Sequence, residues 1–180
     1  MTVFDNTKGQ YIDFDKKMEE WNSLSSGNIP DGTGQKGAAR HAFTVETCMN
    51  LIGKPFVLFD SDVIIKKDFS GIVRKEYIFS SYVNVTVPNW KIRSVPFICY
   101  INVDKCREHD IHYFYIDRML GIKTVNWYNT GAAFYEEASK YRFGKIKWRD
   151  YVHHLKAGSW QKYGKDSWKK FIQAHKDCIE

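Results

Sequence analysis

Residues 55–62 read Pro-Phe-Val-Leu-Phe-Asp-Ser-Asp, an unbroken apolar run that ends in two carboxylates. Such a run is typical of a strand that is covered on both faces in a parallel sheet. Asp60 and Asp62 then lie at the carboxyl end of the strand, where ligands bind in open α/β sheets. The stretch therefore predicts a three-layer α/β fold with a mostly parallel sheet and a ligand site at this edge.

A helix is predicted directly before this strand. Apolar residues recur at helical spacing over residues 38–52, and Gly53 and Pro55 provide the stop. Residues 25–37 hold four glycines, one proline and two serines, which is the composition of a loop. A helix that starts after such a loop favours anions, so Arg40 is a candidate contact for a nucleotide or diphosphate. The alternative for Arg40 is an ion pair with a carboxylate at the edge of the core.

The rest of the chain predicts further short elements with no internal repeat. The pattern indicates a helix over residues 15–24, a short helical or irregular piece over residues 114–119, and a helix over residues 132–141 after a turn. Strands are predicted over residues 2–5, 77–87, 94–103 and 145–154.

Length and charge bound the possible classes of protein. The 180 residues suit a single compact domain over residues 1–180, and the composition is that of a globular protein. A formal charge of +6 favours anionic partners such as nucleotide diphosphates, nucleic acid or acidic lipid. Residues 156–180 are basic and aromatic, and we interpret them as an amphipathic helix or tail that packs on the domain and can contact a membrane surface. No nucleic-acid partner is predicted.

Cysteine spacing and the lack of long apolar segments favour a cytoplasmic location. The four cysteines show no CxxC spacing and are expected to be reduced thiols. No basic segment followed by an apolar run opens the sequence, and no stretch of about 18 apolar residues occurs.

The two aspartates have the chemistry of a divalent cation site. At positions i and i+2, at a strand end where the backbone turns, Asp60 and Asp62 can face one ligand. Carboxylate oxygens suit Mg²⁺ or Mn²⁺, and these ions commonly bridge carboxylates and diphosphate oxygens. Lys156 lies close enough in sequence to His154 to neutralise a phosphate beside it.

Three segments in order resemble the nucleotide-sugar glycosyltransferases of the GT-A fold, over residues 2–165. They are the helix with Gly37-Ala-Ala-Arg40, the strand ending in Asp60-Ser-Asp62, and His154 followed by Gly158-Ser-Trp160. The resemblance implies that Asp62 binds the metal, that Asp60 contacts the ribose or a metal-bound water, and that His154 completes the metal or diphosphate site. Arg40 and Lys156 would assist.

The resemblance also implies the substrates. The donor would be a UDP- or GDP-sugar, and the acceptor a glycan, a lipid-linked molecule or another hydroxyl compound. A divalent cation would stabilise the charge that grows on the departing diphosphate. Asp5 could touch the base or ribose, or it could form a turn. The family has an earlier strand and helix around the base, so we expect a minimal variant, a fragment, or a second subunit that completes the base pocket.

Asn129-Thr-Gly131 looks like the acceptor-side segment of the same family, which often reads Asp-Thr-Gly. Because this chain has Asn at the first position, Asp117, Glu136 and Glu137 become the candidates for the general base that an inverting transfer requires. Each of the three could instead be a solvated or capping side chain. Trp160 is expected near the acceptor.

Two other functions fit parts of the sequence. In a haloacid-dehalogenase-like phosphatase, Asp60 would be a nucleophile and Ser80 or Ser81 would form a second motif. In a carbohydrate- or nucleic-acid-binding module, the six tryptophans and eleven tyrosines would supply stacking surfaces without any need for a metal.

Overall fold

The computed structural model describes residues 11–24, 33–60, 63–84, 91–119 and 128–154, which form a mixed α/β fold. In chain order the elements are α1 (Phe14–Leu24), α2 (Thr33–Ile52), β1 (Phe56–Phe59), β2 (Val63–Ile65), β3 (Phe79–Asn84), β4 (Arg93–Ile101), α3 (Val103–Glu108), α4 (Ile116–Met119), α5 (Ala132–Ala138), β5 (Gly144–Lys145), a 3₁₀ turn (Trp148–Asp150) and β6 (Val152–His154). No helix in these ranges is long and apolar enough to cross a membrane.

Four strands form the main sheet in the order β1-β4-β3-β5. β4 is antiparallel to both of its neighbours, and only the short β3–β5 pair is parallel. A second, two-stranded sheet pairs β2 with β6 in antiparallel fashion. The prediction of a mostly parallel sheet is therefore wrong. An apolar run reports that both faces of a strand are covered, and it carries no information on the direction of the partner strand.

Both faces of the main sheet are covered. On one face, Trp21 of α1, Val45 of α2 and Phe134 of α5 share a core with Cys99 and Ile101 of β4. On the other face, a second cluster contains Ile72, Val95, Phe97, Ile98, Tyr100 and Val152. From Ile98 to Ile101, successive residues of β4 thus point to opposite faces, as the strand period of two requires. The same alternation explains why β1 is apolar at every position although it lies at the sheet edge.

The first two predicted helices are confirmed, with a different start for the second. α1 matches the predicted residues 15–24, and α2 contains residues 38–52. α2 begins five residues earlier, at Thr33, so the loop predicted up to Gly37 is wrong over its last turn. Glycine in a helix costs about 1 kcal/mol relative to alanine, and this helix of 20 residues forms in spite of that cost.

The other predicted elements are confirmed in outline. β3 lies inside the predicted strand at 77–87, and β4 begins one residue before the predicted strand at 94–103. α4 lies inside the predicted segment at 114–119, and α5 lies inside the predicted helix at 132–141. The predicted strand at 145–154 is interrupted by the 3₁₀ turn. The sequence analysis missed β2 and α3. The predicted strand at 2–5 and the basic tail at 156–180 lie outside the described residues.

Gly131 is fixed by its contact with the first residues of β4. It has a φ of 80°, and its carbonyl oxygen accepts a hydrogen bond from Ser94 N–H at 3.2 Å. A Cβ added at this position would lie 2.0 Å from the Ser94 carbonyl oxygen. Only glycine can therefore occupy this position without a backbone shift.

We expect Gly131→Ala to lower the free energy of unfolding by at least about 2 kcal/mol, because it adds both left-handed strain and a clash with backbone. Gly37→Ala is the matched control, since no atom lies within 4 Å of the added Cβ and the residue is in a helix. It should raise the same free energy by about 0.5–1 kcal/mol. Urea unfolding of both variants tests this, and equal effects of the two substitutions would contradict the packing described for Gly131.

Candidate functional site

Asp60 directly follows β1, and its side chain lies beside α2. Its Oδ1 lies 3.5 Å from Nε2 of His41 on α2, and its side chain is about one quarter exposed. Its charge also acts on Arg93, the first residue of β4, and on Tyr113, which precedes α4. The carboxylate thus lies beside one imidazole and interacts electrostatically with side chains from two other segments of the chain.

The pairing of β2 with β6 brings the predicted histidine to the same region. Val63 lies opposite His154, and Ile65 lies opposite Val152. Val63 directly follows Asp62 in the chain, and Asp62 itself lies outside the described residues. His154 is therefore placed across the ladder from the residue that follows the Asp60-Ser-Asp62 motif.

A large irregularity in β4 lies beside this site. The partner of β3 changes from Cys99, opposite Ser81, to Val95, opposite Tyr82, so β4 holds extra residues at this point. Such bulges bend a strand, re-aim its side chains and occur often next to active sites. Phe97, within the irregular stretch, packs against the ring of His154 with 4.4 Å between the ring centroids.

Arg93 and Tyr113 are two polar side chains on which the charge of Asp60 acts. Burial lowers the pKa of Arg93, and the nearby Tyr113 and Asp60 oppose that shift. Burial raises the pKa of Tyr113 well above its ordinary value, and the charge of Asp60 raises it further. Arg93 Nε and the Tyr113 hydroxyl are both buried without a hydrogen-bond partner among the described residues. Such groups cost free energy unless a ligand or water satisfies them.

Tyr113 is held in place by Glu46 of α2. Its backbone N–H donates to Oε2 of Glu46 at 2.5 Å, and its ring stacks on Phe134 with 4.8 Å between centroids. The other oxygen of Glu46 lies 3.0 Å from His112 Nδ1, and this hydrogen bond raises the pKa of His112. The backbone and the ring of Tyr113 are therefore both fixed by contacts within the fold.

The segment Asn129–Gly131 lies between α2 and β4. Thr130 Oγ1 donates to the carbonyl oxygen of Ala38 at 3.3 Å, and Gly131 is bonded to Ser94. A Cβ at Gly131 would come within 3.0 Å of the Tyr113 hydroxyl. The predicted acceptor segment is thus adjacent to Tyr113.

Arg40 is placed on α2 one residue before His41. Its guanidinium lies 5.5 Å from the centroid of the Phe14 ring, and the residue is exposed. Successive residues of a helix point in different directions, so Arg40 and His41 do not share a face. The predicted diphosphate contact of Arg40 stays a prediction.

Two of the three candidate bases belong to a cluster of ion pairs. Glu136 contacts Lys91 at 3.1 Å and Arg118 at 3.3 Å, and it accepts a hydrogen bond from Tyr128 at 2.7 Å. Glu137 pairs with Arg118 and Lys140. Partial burial would raise the pKa of Glu136, but its hydrogen bonds and cationic neighbours outweigh burial and lower it.

The same cluster weakens both glutamates as proton acceptors. The hydrogen bond from Lys140 is the largest cause that lowers the pKa of Glu137, against partial burial. A lowered pKa makes a carboxylate a weaker base, so the arrangement favours a structural role for these two residues. Asp117 lies exposed in the first turn of α4.

Several predicted site residues lie outside the described residues: Asp5, Asp62, Lys156 and Trp160. Within the described part of the chain, no group of three or more His, Cys, Asp or Glu side chains could hold a metal ion. The predicted set of Asp60, Asp62 and His154 includes one residue outside this part.

His41 and Arg93 are site residues that the sequence analysis missed. His41 directly follows Arg40, and its position on a helix after a glycine-rich segment is the one signal that points to it. Arg93 has no such signal, because only the folded sheet brings it near Asp60.

No family model, curated protein or solved structure matches this chain. Its function has to be inferred from its motifs and from where the fold places them.

The two buried tyrosines of this region should respond differently to loss of the hydroxyl. Tyr128→Phe removes a hydrogen bond to the carboxylate of Glu136 and should lower the free energy of unfolding by about 1–2 kcal/mol. Tyr113→Phe removes a buried hydroxyl that is unpartnered in the described structure, so it should leave this free energy unchanged or raise it by up to about 1–3 kcal/mol. Urea unfolding measures both values. A cost for Tyr113→Phe as large as that for Tyr128→Phe would mean that this hydroxyl has a partner within the protein.

Proposed function

We propose that the chain is a metal-dependent glycosyltransferase that moves a sugar from a nucleotide-diphosphate donor to a hydroxyl acceptor. The observation that supports it best is the pairing of Val63 with His154. The sequence motifs suggested His154 as a partner of the Asp60-Ser-Asp62 motif without any knowledge of strand pairing. The fold then brings two segments that are about 90 residues apart to neighbouring positions.

The residues at this point have a donor set that fits Mn²⁺. Carboxylates from Asp60 and Asp62 and the imidazole of His154 are ligands that this ion accepts, whereas Mg²⁺ is more selective for oxygen. His41, at 3.5 Å from Asp60, adds a second imidazole that can orient the carboxylate or share in binding. A metal held there would stabilise the negative charge that develops on the nucleoside diphosphate as the sugar departs.

The remaining parts of the proposed mechanism follow from the neighbours of Asp60. Asn129–Gly131 would position the acceptor, and Gly131 lies beside Tyr113 and Ser94. Arg40 and Lys156 would contact the diphosphate. An inverting transfer would require a base, and Asp117 is the predicted candidate outside the ion-pair cluster of Glu136 and Glu137. UDP and GDP are both candidate donors.

A three-layer GT-A arrangement is part of the same proposal. Its support is that both faces of the main sheet are covered, one by helices and the other by the cluster around Tyr100 and Val152. A cytoplasmic location, a second subunit that completes the base pocket and contact of the basic tail with a membrane surface are proposals that rest on the sequence.

The geometry gives less support to the phosphatase. Ser80 and Ser81 are buried in β3, and β4 separates this strand from β1. Neither hydroxyl is therefore in a position to contact a phosphate at Asp60. The binding module remains the non-enzymatic alternative, although large aromatic residues such as Trp21, Tyr100 and Phe134 are committed to the core.

Calorimetric titration of UDP and GDP, with and without Mn²⁺, tests the proposed function. We expect one nucleotide to bind only with Mn²⁺, and we expect Asp60→Asn, Asp62→Asn and His154→Gln each to weaken this binding at least about tenfold. Asp150→Asn, an exposed aspartate in the 3₁₀ turn, is the matched control and should bind like the wild type. Binding that does not depend on Mn²⁺, or that all four variants reduce equally, would reject the metal site. Hydrolysis of an aryl phosphate by the wild type would favour the phosphatase instead.

A further inference from the structure

The turn after α3 has an aspartate at the position where helices commonly end with glycine. Ile111 N–H donates to the carbonyl oxygen of Cys106 at 2.8 Å, and Asp110 N–H donates to that of Arg107 at 3.3 Å. This pair of bonds is the Schellman motif, whose left-handed position is usually taken by glycine. Asp110 occupies that position with a φ of 53°. Its carboxylate is therefore kept in a backbone conformation that glycine would adopt at lower cost.

The Asp110 carboxylate contacts His112, whose ring also contacts α2. Oδ1 of Asp110 lies 3.2 Å from Nε2 of His112, and Nδ1 of the same ring lies 3.0 Å from Oε1 of Glu46. A neutral imidazole has one N–H, and an ionised carboxylate only accepts hydrogen bonds. With both carboxylates ionised, both contacts are hydrogen bonds only when the ring carries two protons and a positive charge. The geometry therefore favours the charged form of His112.

Glu46 also holds the backbone of the segment that follows His112. Its Oε2 accepts the N–H of Tyr113 at 2.5 Å and the N–H of Phe114 at 3.4 Å. One carboxylate of α2 thus contacts the imidazole with one oxygen and two backbone amides with the other. Because a largely buried charge is costly unless it is paired, a charged His112 stabilises Glu46 in this position.

The pair with Glu46 contributes more than the pair with Asp110. The side chain of Glu46 is 15% exposed, whereas that of Asp110 is 96% exposed. Water and salt screen an exposed ion pair strongly and a buried one much less. The contact with Glu46 is therefore the main link between His112 and α2, and the contact with Asp110 adds a weaker one.

Besides the two carboxylates, the titratable side chains that face His112 are Cys106 and Arg107 of α3 and Tyr115. Burial raises the pKa of Cys106 to about 12 and also raises the pKa of Tyr115, so both side chains stay neutral. Arg107 keeps its charge and donates from Nη1 to the carbonyl oxygen of Gly53 at 3.2 Å. His112 is the group of this cluster that gains or loses a proton near neutral pH.

We propose that His112 is a pH-sensitive switch, which attaches residues 110–114 to α2 in its protonated form and loosens this attachment in its neutral form. In the neutral ring, one nitrogen is an acceptor that faces a carboxylate oxygen, and Glu46 loses the cation that offsets its charge. The turn at Asp110 then loses the contact that compensates its backbone conformation. The switch does not depend on the proposed metal site, because none of these side chains is a proposed ligand.

The pH range of the switch follows from the hydrogen bonds of His112. The bond with Glu46 is the largest cause that raises its pKa, and partial burial opposes it. Because the pKa is higher in the folded protein than in the unfolded chain, the charged form stabilises the fold fully below the ordinary value of about 6.5. This contribution is lost as the pH rises through the pKa of the folded protein.

NMR of the imidazole gives the pH at which His112 titrates, both in the folded protein and in the protein unfolded in urea. We expect the folded midpoint to lie above the unfolded one. Glu46→Gln and Asp110→Asn each remove one charge with little change of shape, so both should lower the folded midpoint, Glu46→Gln by more. Glu108→Gln is the matched control, because it removes an exposed carboxylate at the end of α3, and it should lower the midpoint least.

Hydrogen exchange of the Tyr113 and Phe114 amides measures the attachment itself. Relative to the unstructured chain at the same pH, their protection should fall about 2- to 10-fold as the pH rises through the His112 midpoint. The amide of Asp150, in the 3₁₀ turn, is the control and should keep its protection. In His112→Gln, the fall at this pH should be absent. If that variant does not fold, Asp110→Asn decides the matter, since its fall should move to lower pH with its midpoint.

Two results would overturn the inference. A folded His112 midpoint at or below the unfolded one would mean that the fold does not favour the charged ring. A fall in protection of the Tyr113 and Phe114 amides that is absent from the wild type, or equal in the wild type and His112→Gln, would mean that the proton on His112 does not control the attachment. Neither measurement involves a metal or a nucleotide, so either failure leaves the proposed function to its own test.

Discussion

The pairing of β4 with strands on both of its sides is the constraint on which the rest of the structure depends. Residues 94–101 are buried throughout, so each backbone polar group in this stretch must find a partner within the fold. β1 and β3 supply those partners in antiparallel register. Because β1 ends opposite Ile98, Asp60 comes to the irregular stretch of β4. A shift of one residue would exchange the two faces of β1 and displace this carboxylate.

β4 also connects the two halves of the proposed site. Its first residues contact the segment that ends at Gly131, and its irregular stretch contacts His154 through Phe97. α2 closes the arrangement, because His41 reaches Asp60 and Ala38 accepts the hydrogen bond from Thr130. Segments that lie far apart in the chain therefore converge because each makes a separate contact with one strand or one helix.

The sequence predicted the elements with a strong local pattern. α1, α2, β3 and β4 follow from periodicity, β-branched and aromatic content, and the stop at Gly53. Two elements were missed for a physical reason. β2 has three residues, too few to show a period. α3 has six residues and depends on Asn102, whose side chain caps Lys105 N–H and bonds the carbonyl oxygens of Lys75 and Tyr77. The direction of β1 depends on its partner, which no local pattern specifies.

The candidate site was predictable only in part. The sequence predicted the motif at Asp60 and the candidate ligand His154, and the fold places their segments together. Arg93 and Tyr113 became visible only as buried polar groups near Asp60, a property of tertiary packing. Glu136 and Glu137 were predicted as candidate bases because Asn129 stands where the resembling family often has Asp, and the sequence does not show that Lys91, Arg118 and Lys140 surround them.

The central claim is the proposed metal site of Asp60, Asp62 and His154, with His41 beside Asp60. NMR of the histidine side chains during addition of substoichiometric Mn²⁺ tests it most directly, since the paramagnetic ion broadens the signals of nearby nuclei. The account predicts that His41 and His154 broaden first. His109, stacked on Tyr141, and His112, in the cluster with Glu46 and Asp110, should keep their signals. Broadening of His112 before His41 and His154, or equal broadening of all four, would contradict a metal site at Asp60.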